Sequence, residues 1–264
     1  MLLPHELAAL PTWLGILLAI SLPVALALLV GRVMFSIFTP QEFVANAQVG
    51  ATKYGFIVEI YAVVAALALV GAWDSYQTAR DTLQKEAAGL YMLAHAVDTF
   101  DGPNLAATRN EMRAAIRGYA SSVVMQDWPA MQAGVASTGS DAAFTRLTRA
   151  FLDADTEKNS QQVLQQKTGD WLEQVAEARI ARLSVVSRTL SGLIWMLVLT
   201  VSVAVIAFQW FFGGGTVAMH YAMGAVIAVI VGSVLMVSLK LAYPFVGDPA
   251  LLTPRPFLSL MEVA

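Results

Sequence analysis

Four long apolar runs dominate the hydrophobic pattern of the chain: roughly Trp13–Val30, Gly55–Trp73, Leu190–Phe212 and Val217–Leu239. Each comes close to the roughly 20 mostly apolar residues that cross a bilayer core as a helix. The last two contain no Asp, Glu, Lys or Arg and are joined by Gly213-Gly214-Gly215, which predicts a tight turn. The first contains Pro23, tolerable in a membrane helix because neighbouring helices satisfy the freed carbonyl. No Lys or Arg precedes Arg32. The positive start of a signal peptide is therefore missing, and a retained span is expected.

Between the second and third runs the pattern turns amphipathic. Tyr76, Ala79, Leu83, Leu90, Leu93 and Val97 recur at helical spacing, which predicts that the second span continues unbroken to about Thr99. Asp101-Gly102-Pro103 is a stop followed by a new start. The next helix is expected to reach about Gln126 and to end before Asp127-Trp128-Pro129. Gly134 to Ser140 predicts a loop, and Ser140 or Asp141 can cap a short helix to about Leu152. Asp155 or Thr156 then caps a long helix expected to feed directly into the third span. Pro244, Pro249, Pro254 and Pro256 predict a non-helical tail that lies against the polar domain. The expected class is an all-α membrane protein with four spans and a helical cytoplasmic domain. Its blocks are 1–73, 74–189, 190–239 and a tail, 240–264.

Composition sharpens this picture. The chain is 57% hydrophobic and only 13% charged, against about 25% charged in soluble domains. Residues 74–189 hold 26 of the 35 charged side chains, 12 basic against 14 acidic. So near-neutral a balance gives no basic footprint for nucleic acid. There is no cysteine, and His5, His95 and His220 are far apart. No H-x-x-x-H, Walker loop, G-x-G-x-x-G or G-x-S-x-G occurs. Neither an enzyme's site nor a metal or cofactor is expected. Lys and Arg near the span ends set orientation. One side carries Arg80, Lys85, Arg179, Arg182, Arg188, Lys240 and Arg255; the other carries only Arg32 and Lys53. The polar domain and both chain ends are therefore expected in the cytoplasm.

One ionisable residue, Glu59, lies within the second run. A carboxylate at membrane depth costs roughly 2.5 kcal/mol or more and marks a functional position by default. On a helical wheel Val63, Ala66, Val70, Trp73 and Gln77 share its face, while Ile57, Tyr61, Val64, Ala68, Ala72 and Ser75 lie opposite. Ala62/Ala66 and Ala68/Ala72 allow close helix approach. Around an axis shared by several subunits, the Glu59 face would give an outer ring of carboxylates above apolar rings of Val63 and Val70. Charged rings select ions by sign and apolar constrictions gate by dewetting. The alternative places Glu59 at the interface, paired with Lys53 or reaching water along its own stem.

Two further charges fall in apolar stripes. Glu86 lies among Ala79, Leu83, Leu90 and Leu93, and Arg179 among Leu172, Ala176, Leu183 and Val186. A buried charge needs a partner, so a Glu86–Arg179 bridge between the two long helices is expected. Arg109, Arg113 and Arg117 form an i, i+4, i+8 row, read first as a solvated face and second as an anion site.

The order of several short motifs resembles the bestrophin-like family of bacterial membrane proteins. These are Asn46…Gly50 before the second span, Glu86-Ala87 after it, Tyr119…Asp127-Trp128, Arg179 before the third span, and Pro244-Phe245-x-Gly247 after the fourth. The resemblance covers about residues 10–258, with Asp127 in place of the expected Glu. It implies a distant similarity to bestrophins, anion channels with four membrane helices per subunit, assembled as pentamers around the second helix. The resemblance therefore implies a homo-oligomer in the lipid bilayer of a bacterial inner membrane, passing a permeant inorganic ion. Val246 separates Phe245 from Gly247 and no acidic run follows, so calcium binding is not implied. Val63, Ala66 and Val70 stand where bestrophins have phenylalanine rings, and a Glu59 ring would repel anions, which leaves the sign of the ion open. The competing class is a non-conducting scaffold or sensor whose cytoplasmic domain binds a partner.

Overall fold

The structure, a computed structural model, describes residues 3–100, 105–153, 159–187, 191–213, 216–247 and 250–263. Among these residues every regular element is helical. In chain order they are α1 Leu3–Ala9, α2 Thr12–Ile37, α3 Pro40–Ala45, α4 Ala47–Val97 and α5 Ala106–Ser122. A π-helical turn, Val123–Asp127, leads into α6 Trp128–Gln132. There follow α7 Asp141–Leu152, α8 Asn159–Ser187, α9 Gly192–Phe208 with a 3₁₀ turn Gln209–Phe211, α10 Val217–Ala242 and α11 Arg255–Val263. Four helices, α2, α4, α9 with its 3₁₀ turn and α10, are long and apolar enough to cross a membrane. The chain is an all-α membrane protein with four spans.

The helices form two compact units. The first comprises Met1–Asp74, Leu190–Tyr243 and Gly247–Pro249. At its centre the Trp210 ring is fully buried among Ala27, Tyr61, Ala65, Ile206, Ala228 and Val231. Glycines let the indole in. A Cβ on Gly31 of α2 would stand 2.6 Å from the ring, and one on Gly224 of α10 would stand 2.7 Å from it. Further along the α2–α10 contact, a Cβ on Gly232 would overlap the Ala19 carbonyl oxygen itself. Small residues serve this purpose in membranes, where packing rather than water expulsion drives helix association. Lys240 Nζ donates to the Ala8 carbonyl (3.0 Å), holding the end of α1 beside α10.

The second unit comprises Ser75–Thr189, Pro244–Val246 and Ala250–Ala264. Leu83, Leu90, Leu93 and Val97 of α4 pack with Met112, Ile116 and Tyr119 of α5, Leu147 and Phe151 of α7, Leu172 and Val175 of α8, and Phe257 and Leu260 of α11.

Four local features go beyond the sequence expectation or against it. Thr39-Pro40-Gln41-Glu42 has the spacing of a capping box with proline in the first turn, and it starts the short helix α3. The Thr39 N–H and hydroxyl both donate to Glu42 Oε2, at 2.7 and 2.9 Å, which lowers the pKa of that exposed carboxyl. Second, the helix from α5 does not stop before Asp127. It passes through the π turn, where the Trp128 N–H donates to the Val123 carbonyl, and runs on to Gln132. Third, α8 does not feed unbroken into the third span. Ser191 is extended (φ −58°, ψ 146°) and its hydroxyl accepts from the Ile194 N–H, a fresh N-cap that starts α9. Fourth, the tail is not wholly irregular: Pro256 sits in the first turn of α11, where a missing N–H costs nothing. The Asp101-Gly102-Pro103 stop, the Asp155/Thr156 cap and the Gly214-Gly215 part of the turn lie outside the described residues.

Replacing Gly232 by leucine is expected to lower stability in detergent by at least about 1–3 kcal/mol, the usual cost of overpacking. Gly55→Ala, where a Cβ meets open space, is expected to be neutral. Thermal unfolding followed by tryptophan fluorescence checks both.

Candidate functional site

Two sets of residues stand out. The first is an ionic centre within the second unit, built around Arg182 of α8. Its side chain is fully buried, as are those of Glu86 on α4 and Asp127 on the π turn. Arg182 Nε donates to Glu86 Oε2 (2.7 Å), while Nη2 donates to Glu86 Oε1 (3.1 Å) and to Asp127 Oδ2 (3.0 Å). The remaining terminal nitrogen, Nη1, donates to the Met131 sulfur (2.9 Å), and the Phe257 ring lies 5.9 Å from the guanidinium carbon. Tyr119 donates its hydroxyl to Glu86 Oε1 (2.6 Å). Ser140 donates both its hydroxyl (2.6 Å) and its backbone N–H (3.2 Å) to Asp127. Ser140 stands at the N-cap of α7 and gives its side chain to this network instead of capping the helix.

The charges sort themselves by environment. Burial, the largest single influence, would lower the pKa of Arg182, but the charge and hydrogen bonds of Glu86 together with Tyr119 and Asp127 outweigh it and hold the guanidinium firmly protonated. Burial would likewise raise that of Asp127, yet the bonds from Ser140 and the charge of Arg182 bring it below its ordinary value. Tyr119 is pushed well above its ordinary value, by burial and then by the adjacent Glu86 charge. The π turn matters here because it inserts an extra residue into the helix and so re-aims the side chains of Asp127 and Met131.

The sequence expectation of a buried Glu86 ion pair is met with a different partner. Arg179 does not reach Glu86. It donates from Nε to Ser140 Oγ (3.0 Å), pairs with Asp141, and stacks over Phe144 at 5.7 Å. Residues 179 and 182 differ by only about 60° around a helix. Both therefore fit the stripe by spacing, and three-dimensional neighbours decide between them. In the sequence Asp127 has a place in the motif order but no role, and Arg182 counts only as a near-membrane positive charge. Nothing in the local sequence points to Ser140 or Met131 as their partners.

Other motif residues have structural roles. Asn46 accepts from the Gly50 N–H (2.8 Å) at the start of α4, and a Cβ on Gly50 would stand 2.5 Å from Phe212. Trp128 meets Phe245 edge-on with ring centroids 5.5 Å apart. The Pro244 carbonyl accepts from the Leu252 N–H (3.1 Å), and Gly247 takes a left-handed φ of +104°. The arginine row is not one anion site: Arg109 donates to the Phe100 carbonyl and Arg113 pairs with Asp98.

The second set is the exposed face of α4. Val63 and Val70 are 61% and 65% exposed, Glu59, Ala66 and Trp73 are exposed, and Gln77 is half-buried. On the opposite face Tyr61, Ala65, Ala68 and Ala72 are buried. Among the described residues Glu59 has no hydrogen bond or ion pair, and the alternative pairing with Lys53 is not formed.

Removing Arg182 leaves two buried carboxylates facing each other. Arg182→Met is therefore expected to cost about 3–5 kcal/mol, and Arg179→Met, at the edge of the centre, clearly less. The pH dependence has two limbs. The depressed Asp127 carboxyl contributes stability above its ordinary value of 3.8, and this is lost as pH falls below it. The raised Tyr119 hydroxyl contributes stability below its ordinary value of 10.0, and this is lost as pH climbs beyond it. Tyr119→Phe is expected to remove the alkaline limb and spare the acid one, as read by chemical denaturation across pH.

Comparison with known proteins places this architecture. Solved structures with the same fold include two variants of a bacterial bestrophin homologue from Klebsiella pneumoniae. One has a TM-score of 0.73 at 9% identity, over 94% of this chain and 98% of the other. The second has a TM-score of 0.71 at 8% identity, over 94% and 97%. No curated protein matches in sequence. The profile of the bestrophin-like domain matches residues 17–252, nearly the whole chain. The chain belongs to the bestrophin-like family.

Proposed function

We propose that the chain is the subunit of a homo-oligomeric ion channel of the bacterial inner membrane. In this reading the Glu59 face of α4 surrounds the shared axis and the second unit lies in the cytoplasm. Glu59 sets the field at the outer mouth, Val63 and Val70 form the apolar constriction, and Ala66, Trp73 and Gln77 continue the lining. A pentamer is the stoichiometry the family resemblance implies.

The observation that carries this reading is which face of α4 the subunit leaves uncovered. A carboxylate against lipid is costly, and Glu59 has no partner among the described residues of its own subunit. A water-filled axis supplies its solvation. Placing the face there also makes sense of its neighbours, since rings of valine below a charged ring form a dewetting gate. The excess of Lys and Arg around the second unit supports the cytoplasmic assignment. Sign selectivity follows from charge: a ring of carboxylates concentrates cations and repels anions.

Ionic current across planar bilayers under a salt gradient tests the proposal. Wild-type protein is expected to conduct with a cation-leaning reversal potential, and Glu59→Gln to shift that potential toward anions. Identical reversal potentials and conductances would remove Glu59 from the pore. Absence of current from folded, oligomeric protein would contradict the channel and favour a membrane scaffold.

A further inference from the structure

The second unit carries two uncovered surfaces of opposite charge that fit one another. The first is a trough between α5 and α7. Two adjoining hollows of about 370 and 340 Å³ share Gly118, Ala143 and Arg146. Glu111 lines one together with Arg149, and Met125 lines the other together with Gly139, so the two helices run antiparallel along the trough. Its floor is glycine and alanine. Arg146 and Arg149 on its wall are exposed and have no hydrogen bond or ion pair among the described residues. Its ends are apolar: Met125 is 71% exposed, and Leu152 is exposed at the far end of α7.

The second surface is the outer ridge of α8. Val163, Asp170, Glu173, Glu177 and Ile180 lie within about 100° of one another on the helix, opposite the core-facing Leu172, Val175 and Arg182. All five are exposed. Glu173 and Glu177 are unpaired among the described residues, and Asp170 has only the exposed Lys167. The order along the ridge is apolar, acidic, apolar; along the trough Arg146 and Arg149 outnumber the one carboxylate, Glu111, between apolar ends. Their lengths agree as well: Val163 to Ile180 spans about 26 Å of helix, and Glu111 to Met125 about 21 Å. Helices settle closely into troughs floored by small residues, the charges fix register, and the apolar ends supply burial.

We infer that the α8 ridge of one copy of this chain docks in the α5–α7 trough of the next, head to tail. This rests on the oligomeric reading above and names a contact that builds the oligomer outside the membrane. A contact between two different patches closes a ring when its rotation closes, which is the assembly an axial pore needs. Charge complementarity between two surfaces of the same chain is what selects a second copy over an unrelated acidic helix.

The chain has no cysteine, so directed disulfide cross-linking in membranes tests the contact. Gly118→Cys in the trough and Glu173→Cys on the ridge are both exposed positions, and Gly118 has open space for a side chain. Each variant alone is expected to give only background dimer on a denaturing gel. Co-expressed, the two are expected to give at least tenfold more, and both changes in one chain should give a ladder that stops at the ring size. Arg146→Glu is expected to dissociate the native oligomer, and adding Glu173→Arg in the same chain to restore it. Strong dimer from either single variant would mean a two-fold contact and overturn the inference. So would an oligomeric native mass with no cross-link and no effect of Arg146→Glu, a result that leaves the channel reading standing and gives the trough to another occupant. A monomeric native mass in membranes would remove both.

Discussion

The guanidinium of Arg182 is the constraint on which the rest depends. A fully buried positive charge is tolerated only where its partners are in place, and here they come from separate stretches: Glu86 on α4, Asp127 on the π turn and the Met131 sulfur just beyond it. Ser140 at the head of α7 and Tyr119 of α5 complete the carboxylates' bonding. Such a centre adds little stability over a well-packed apolar one. Its effect is to permit one register among the helices that supply it, because a slip of one residue on any of them strands a charge or a buried hydrogen bond.

Each unit settles its own stretch of α4. In the second, Glu86 is buried against Arg182. In the first, Ala65, Ala68 and Ala72 form the buried side of the span while Glu59 is exposed. In the membrane unit steric fit replaces charge: Gly31 and Gly224 receive the Trp210 ring, and Gly232 lets α2 and α10 meet at backbone distance. The unit thus has one tight seam, α2 against α10, and leaves a face of α4 uncovered.

Much of this was legible in the sequence, for reasons that differ by feature. The spans could be read because about 20 consecutive apolar residues have few other uses. Burial of Glu86 followed from its place in an apolar stripe. The identity of its partner did not, because periodicity cannot separate Arg179 from Arg182; the position of α7 does so by offering Ser140 and Asp141 to the former. The π turn left no compositional mark, and Pro129 looked like a stop because an ordinary α-helix has no place for it. The break at Ser191 was written in the sequence as Ser-Gly, a reasonable N-cap, but the apolar run around it masked the signal. In α11 the prolines that argued against helix sit at its start, the one place they suit.

The central claim is that the uncovered face of α4 looks onto water along a shared axis. Because the chain lacks cysteine, single cysteines placed along α4 can be probed with a charged thiol reagent while current is recorded. The account predicts that Val63→Cys, Ala66→Cys and Val70→Cys are modified and that modification changes the current, while Ala68→Cys and Ala72→Cys are unreactive. Equal protection of all five, or reactivity with no change in current, would contradict it.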